Sequence, residues 1–270
     1  MVSRLKRNGD EPADIVTRLR EATFIRSVKV FETMESTNTW SLANSFSDVQ
    51  LLPELVWAKA QTGGRGRGSN RWHSTMGALT FSIALQSARV GKSPEDLPKI
   101  ALLAGLAVQA AIQPIVSGDD VRVKWPNDVY VSDRKIAGIL VETPSRPSAS
   151  AVVGIGLNVC NSLDDAPDEV EHRGVSLAQL VSEPLDLNDV LLALIVEFEN
   201  QWNQFEGGVW NLAQQWSRVC YLNGKRVELR SGDRRWQGVV RGIAEDGALQ
   251  LETVPGHVEP IYAGQVTVME

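Results

Sequence analysis

Apolar and polar positions divide this chain into a long region of mixed helical and strand periodicity and a short tail of strands alone. Residues 1 to 11 are polar and predict no packed element, while Asp14 to Thr23 has room for one short helix. From Ser27 the positions Val28, Val30 and Phe31 predict a strand running into Glu32 to Glu35. Ser36, Thr37 and Asn38 are three residues of the N-cap type ahead of a helical stretch with Trp40, Leu42, Ala43 and Phe46. Strands are predicted at Leu55 to Ala60 and Ala78 to Gln86. Leu97 to Ile112 is apolar almost all round, which predicts a buried helix ended by Pro114.

Val121, Val123 and Trp125 alternate with Arg122 and Lys124, and Pro126-Asn127-Asp128 breaks the run. Val129 to Val131 resumes it, and Asp133-Arg134 turns the chain into Lys135 to Glu142. Ala151 to Val159 predicts another strand. Asn188 is placed to cap a helix through Leu191, Leu194, Ile195, Phe198, Trp202 and Phe205, with Gly207-Gly208 as its stop. Beyond Tyr221 come five short strands, Arg226 to Arg230, Trp236 to Ile243, Ala248 to Thr253, Val258 to Tyr262 and Val266 to Met269, the texture of a small closed barrel. The fold class expected is α+β, with a mixed sheet and helices over 27–219 behind an N-terminal segment 1–26, and the small barrel over 220–270.

Composition narrows the function classes. The 270 residues are 43% apolar, enough for a full core, and the formal charge of −6 argues against general nucleic-acid binding. Cys160 and Cys220 are far apart and fit no metal spacing, which reads as two reduced packing residues of a cytoplasmic protein. His73, His172 and His257 are isolated, so no metal site is predicted. No leader pattern and no membrane-length apolar run is present, so no membrane partner is expected.

Candidate chemistry concentrates in Gln61 to Trp72, where Gly63, Gly64, Gly66 and Gly68 alternate with Arg65, Arg67 and later Arg71. Glycines admit close backbone approach and arginines offer planar donor forks, so the stretch is either an anion-handling loop or a solvated basic loop. Such a segment has no apolar anchors and its arginines repel one another, which predicts mobility until an anion arrives. Ser36-Thr37-Asn38 is either a plain helix cap or a cap whose hydroxyls and amides also hold a polar ligand. Lys135 heads an apolar strand, as a snorkelling strand end or as a cation at a site. Gly154-Ile155-Gly156 lies in a strand whose glycines can admit a ligand, but it lacks the third glycine of a dinucleotide loop. Gly91-Lys92-Ser93 ends like a phosphate loop, but Gln86 stands where its first glycine belongs.

Five pieces in order carry a resemblance: Ser36-Thr37-Asn38, Gln61 through Trp72, Lys124-Trp125-Pro126-Asn127-Asp128, Lys135 through Glu142, and Gly154 through Val159. The chain resembles biotin protein ligases from about Val28 to Phe205, and its tail resembles the family's SH3-like barrel. It departs at Ser69-Asn70, where many relatives have Gly-Arg, and keeps Arg71. The resemblance implies a catalytic domain like that of class II aminoacyl-tRNA synthetases. It also implies two steps: biotin and ATP give biotinyl-5'-AMP and pyrophosphate, and a lysine of a biotin carboxyl carrier domain then takes the acyl group. Mg²⁺ is expected on ATP itself.

By the same resemblance, Ser36, Thr37, Asn38 and Gln61 surround biotin's ureido ring. Gly64, Arg65, Gly66 and Arg67 close over biotin and the adenylate phosphate, and Gly138 and Gly154 leave room beside the ring. Arg71, Trp72 and Asn158 join Arg65, Arg67 and Lys135 around the nucleotide, with Trp72 either covering the intermediate or anchoring the loop. Arg67 and Lys135 are the cations for the phosphoryl charge. Asp128 is either a turn residue or the group that assists deprotonation of the incoming lysine. Three rivals follow from the same residues. Lipoate-protein ligase shares the fold, but no Gly-Gly-Gly-x-Val-x-His-Asp run is present. A biotin-operon repressor needs a DNA-binding domain, for which the roughly thirty residues ahead of the first strand leave no room. An adenylate-binding module without transfer is the third. No interface pattern fixes an oligomeric state.

Overall fold

The computed structural model describes residues 12–88, 90, 96–116, 118, 120–146, 149–164 and 166–269. Gly91-Lys92-Ser93 and the polar residues 1 to 11 lie outside them. In chain order the elements are α1 (Pro12–Ala22), β1 (Ser27–Met34), α2 (Thr37–Asn44), β2 (Glu54–Gln61), β3 (Ala78–Gln86), α3 (Asp96–Ile112), β4 (Val121–Lys124), β5 (Asp128–Val131), β6 (Arg134–Glu142) and β7 (Ser150–Asn158). There follow α4 (Asp168–Arg173), α5 (Leu187–Gly207), α6 (Leu212–Val219), β8 (Arg226–Ser231), β9 (Arg234–Ile243), β10 (Leu249–Val254), β11 (His257–Ile261) and β12 (Gln265–Val268).

The first seven strands form one mixed sheet in the order β1-β2-β3-β7-β6-β5-β4, in which only β1 and β2 run parallel. Strand periodicity gives this sheet two unlike faces. In β3, Leu79, Phe81, Ile83 and Leu85 point into the main core with Ala151, Val153, Ile155 and Leu157 of β7, and residues of α1, α3 and α5 complete it. The alternate positions, Thr80 and Ser82 of β3, Gly138 of β6, and Gly154 and Gly156 of β7, are small or polar. The short helix α2 packs on β3 and β7, where its Leu42, with Phe46 just beyond its end, meets Ala84 and Val152. The small residues of the opposite parity therefore form the floor of a site beside α2.

Helix α5 is capped by Asp186, whose carboxylate accepts the Asn188 backbone N–H, so the cap stands two residues before the expected Asn188. Gly208 ends that helix at φ 71°. The tail is a five-stranded antiparallel sheet, β11-β10-β9-β8-β12. Strands β11 and β12 are the two ends of that order, and among the described residues no ladder joins them. Its core does not stop at residue 220. Leu212 and Trp216 of α6, which strand and turn signals did not predict, share it with Leu102 and Leu106 of α3 and with Val123 and Trp125. The Trp125 indole donates to the Gly247 carbonyl at 3.1 Å, and Glu245 accepts the first backbone N–H groups of α6. Cys220 is buried as a packing residue should be, whereas Cys160 is exposed. No helix among the described residues is long and apolar enough to cross a membrane.

Candidate active site

Ser36 adopts extended backbone and its Oγ accepts the Thr39 N–H, so the cap is real, and Ser36, Thr37 and Asn38 are all buried. Gln61 at the end of β2 accepts the Thr37 N–H through Oε1 at 2.7 Å. Ser82 Oγ lies 2.6 Å from Asn38 Oδ1 and 2.7 Å from Thr37 Oγ1. An amide oxygen only accepts, and the Ser82 hydroxyl is the donor shared between Asn38 and Thr37. Asn38 Nδ2 donates to the Leu140 carbonyl at 3.1 Å and to Glu142 Oε2 at 2.9 Å. Gly154 is obligatory beside it, because a Cβ there would lie 2.1 Å from Asn38 Oδ1.

The arginine loop is a hairpin. Arg65 and Arg71 face each other, Gly66 N–H donates to Asn70 O at 2.8 Å, Trp72 N–H donates to Gly64 O at 3.0 Å, and Gly68 turns the chain at φ 62°. Gly64 lets the two limbs meet: a Cβ there would come within 2.4 Å of the Trp72 carbonyl oxygen. Composition suggested a loop without anchors, and the structure supplies two. Trp72 lays its indole on the glycine floor, where a Cβ on Gly156 would fall 2.3 Å from Cε2 and one on Gly138 3.4 Å from Cζ3. Arg65 makes a two-pronged ion pair with Glu142, at 2.9 and 2.6 Å.

Across the floor Lys135 Nζ stands 2.6 Å from Asp128 Oδ1 and 5.9 Å from the Trp72 ring. Arg67 and Lys124 lie near enough for the Asp128 charge to act on both. Desolvation pulls the pKa of each below its ordinary value and the Asp128 charge opposes it, although Arg67 is exposed along much of its length. Arginine stays charged under such a shift, and Arg67 remains a cation available to an incoming anion. Asn158 is turned inward instead. Its Nδ2 donates to the Val175 carbonyl and its Oδ1 accepts from Asn161. A separate depression of about 410 Å³ between Tyr130, Tyr221 and Lys225 shares none of the site's predicted residues.

Thus Ser36, Thr37, Asn38, Gln61, Gly64, Arg65, Gly66, Arg67, Trp72, Asp128, Lys135, Gly138 and Gly154 gather on one side of the sheet. Arg71 stands opposite Arg65 in the hairpin and is exposed. Ser82 and Glu142 are not singled out by the sequence, and Gly156 enters only as a strand glycine with room for a ligand beside it. The signal for Ser82 was a hydroxyl residue on the non-core parity of an apolar strand, and Glu142 and Gly156 lay within recognised motifs without a partner to give them a role.

Residues 30–158 match the Biotin/lipoate A/B protein ligase family, and residues 223–269 match the Biotin protein ligase C terminal domain. The biotin--[acetyl-CoA-carboxylase] ligase of Mycobacterium tuberculosis is 32% identical over 249 residues, covering 89% of this chain and 88% of that protein. The chain belongs to the biotin protein ligase family. The bifunctional ligase/repressor BirA of Bacillus spizizenii is 32% identical over 216 residues, 78% of this chain, and the chain spans 65% of that relative's length. A biotin protein ligase structure from Aquifex aeolicus, in complex with biotin and ATP, superimposes with a TM-score of 0.77 at 24% identity. It covers 90% of this chain and 99% of that one, and it shares the fold. The mixed sheet with helices and the SH3-like C-terminal domain expected from sequence are those of this family.

Proposed function

We propose that this chain activates biotin as biotinyl-5'-AMP at the expense of ATP and passes the acyl group to a lysine of a biotin carboxyl carrier domain. The observation that carries the reading is the convergence of three chemistries on one glycine floor: the polar start of α2, the arginine hairpin, and the Lys135–Asp128 pair.

A ureido ring presents two N–H donors and one carbonyl acceptor. With both Nδ2 hydrogens engaged, Asn38 meets the ring as an acceptor through Oδ1, while Gln61, with Oε1 held by Thr37, offers its Nε2 donors. Ser36 Oγ and Thr37 Oγ1 complete the set. In the first step a carboxylate attacks the α-phosphorus and pyrophosphate leaves, so charge accumulates on phosphoryl oxygens. Lys135, held beside Asp128, and Arg67, a permanent cation near the same carboxylate, are the groups assigned to it, and Trp72 offers the adenine a flat surface. Mg²⁺ would come bound to the triphosphate, whose charge it neutralises. In the second step the carrier ammonium must lose a proton before its nitrogen attacks the acyl carbon and AMP departs. Asp128 Oδ2, the oxygen not engaged by Lys135, is the acceptor assigned to it.

The test is biotin-dependent ATP–pyrophosphate exchange on purified protein, run in parallel with lipoate and with Arg67→Ala. Exchange with biotin alone, lost in the variant, is expected. Silence with biotin, or exchange with lipoate in its place, would overturn the reading. Transfer to an apo carrier domain, followed by mass, separates a ligase from a module that only holds the adenylate.

A further inference from the structure

Glu142, the last residue of β6, joins two parts of the site that no sequence motif connects. Its parity places it on the site face with Gly138 and Leu140, and at this point β6 has run past the end of β5 and is held only by β7, where Glu142 pairs with Val152. Oε1 accepts from Arg65 Nη1 at 2.9 Å. Oε2 accepts both from Arg65 Nη2 at 2.6 Å and from Asn38 Nδ2 at 2.9 Å. One carboxylate thus holds the arginine hairpin and the start of α2 together.

Electrostatics explain why a carboxylate is needed there. Arg65 and Arg71 oppose each other across the hairpin, a pairing of like charges that destabilises a two-stranded ladder. A bidentate carboxylate neutralises one of them in the plane of its guanidinium and uses two of its five N–H groups. Three donors remain to Arg65 for an incoming ligand while its position is set. Asn38 is fixed in the same way, with Leu140 O and Glu142 on its amide hydrogens and Ser82 on its oxygen.

We propose that Glu142 is a positioning residue. It stations Arg65 over the acid-binding face and, through the same oxygen, stations Asn38, so that loop and ring pocket are organised as one unit before substrate arrives. For catalysis this rests on the biotin-ligase reading above; for the loop it does not.

The experiment uses the full chain with Glu142→Gln, which retains an oxygen for Asn38 and loses the charge that Arg65 needs. Two readouts are taken: the rate of tryptic cleavage within residues 64–72 without ligand, and kcat and KM for biotin in pyrophosphate exchange. The expected result is cleavage faster by about fivefold or more, and a KM for biotin raised about tenfold with kcat within about threefold, the size of a lost charge-assisted hydrogen bond. A defect of folding alone would lower the active fraction and so kcat, leaving KM in place. Cleavage and KM both within about twofold of the parent overturn the proposal. Should Glu142→Gln fail to fold, Arg65→Gln breaks the same pair from the other side and must speed cleavage after Arg67 and Arg71, the tryptic sites it keeps. A parent without biotin-dependent exchange would sink the ligase reading, and the cleavage comparison would still decide the role of Glu142.

Discussion

The Trp72 indole lies on Gly156 so closely that a single methyl group at residue 156 would come within 2.3 Å of Cε2. The loop's aromatic anchor and the floor of the site are thus one packing unit, and the absence of a side chain on β7 makes the contact possible. Gly156→Ala is expected to lift the ring, destabilise the protein by about 1–3 kcal/mol as overpacking does, and raise the KM for ATP. Pairing it with Trp72→Ala checks the cause. Denaturant midpoints of the double variant should match Trp72→Ala alone, and full additivity would show that the methyl group acts elsewhere.

Asp128 and Lys135 form one ion pair, so each restrains the other. Asp128→Asn keeps the shape and removes the counter-ion and proton acceptor. Biotin-dependent exchange should survive within about tenfold, while transfer to the carrier falls about a hundredfold, the range of a lost general base. If both half-reactions run at the parental rate, Asp128 has no part in the chemistry.

Trp125 belongs to the core of the C-terminal sheet although it sits three residues before Asp128. Trp125→Phe keeps an aromatic ring and leaves the buried Gly247 carbonyl without its donor, which should cost about 1–3 kcal/mol. Equilibrium unfolding in urea reads this directly. An unchanged midpoint would mean that the link between Trp125 and the turn at 244–247 contributes nothing.

Cys160 is exposed, yet desolvation, and after it the charge of Asp186, raise its thiol pKa above the ordinary value. A raised pKa means a smaller thiolate fraction at pH 8, so iodoacetamide should label Cys160 more slowly than a free thiol, with a rate still climbing above pH 9. Cys220, buried and shifted upward chiefly by burial, should label only on unfolding. Rapid labelling of Cys160 at pH 7 would contradict the shift.

Much of the architecture follows from local pattern. The apolar strands β3 and β7 and the apolar girth of α3 were readable because burial imposes them residue by residue, and the bounds of β3 agree at both ends. Ser36 was readable as a cap for the same reason, since its partner is three residues away. The cap of α5 was misplaced by two residues because Asp and Asn cap alike, and only the geometry at Asp186 chooses between them. Helix α6 was missed because its buried face is two residues, Leu212 and Trp216, which need the C-terminal sheet to cover them.

The sequence by itself determined which chemistry this protein carries: the residue types of the cap, the glycine–arginine loop and the lysine strand, in an order that marks the family. Tertiary structure alone decided what each of them touches. Arg65 meets Glu142 from 77 residues away, Asn38 meets Ser82 from 44, and Trp125 meets Gly247 from 122. Strand parity sends small residues of β3, β6 and β7 to one face, but the pairing of those strands makes that face a floor. The pairing is set by burial of the opposite, apolar face in a core built from the whole length of the catalytic region, and no local stretch of chain contains that information.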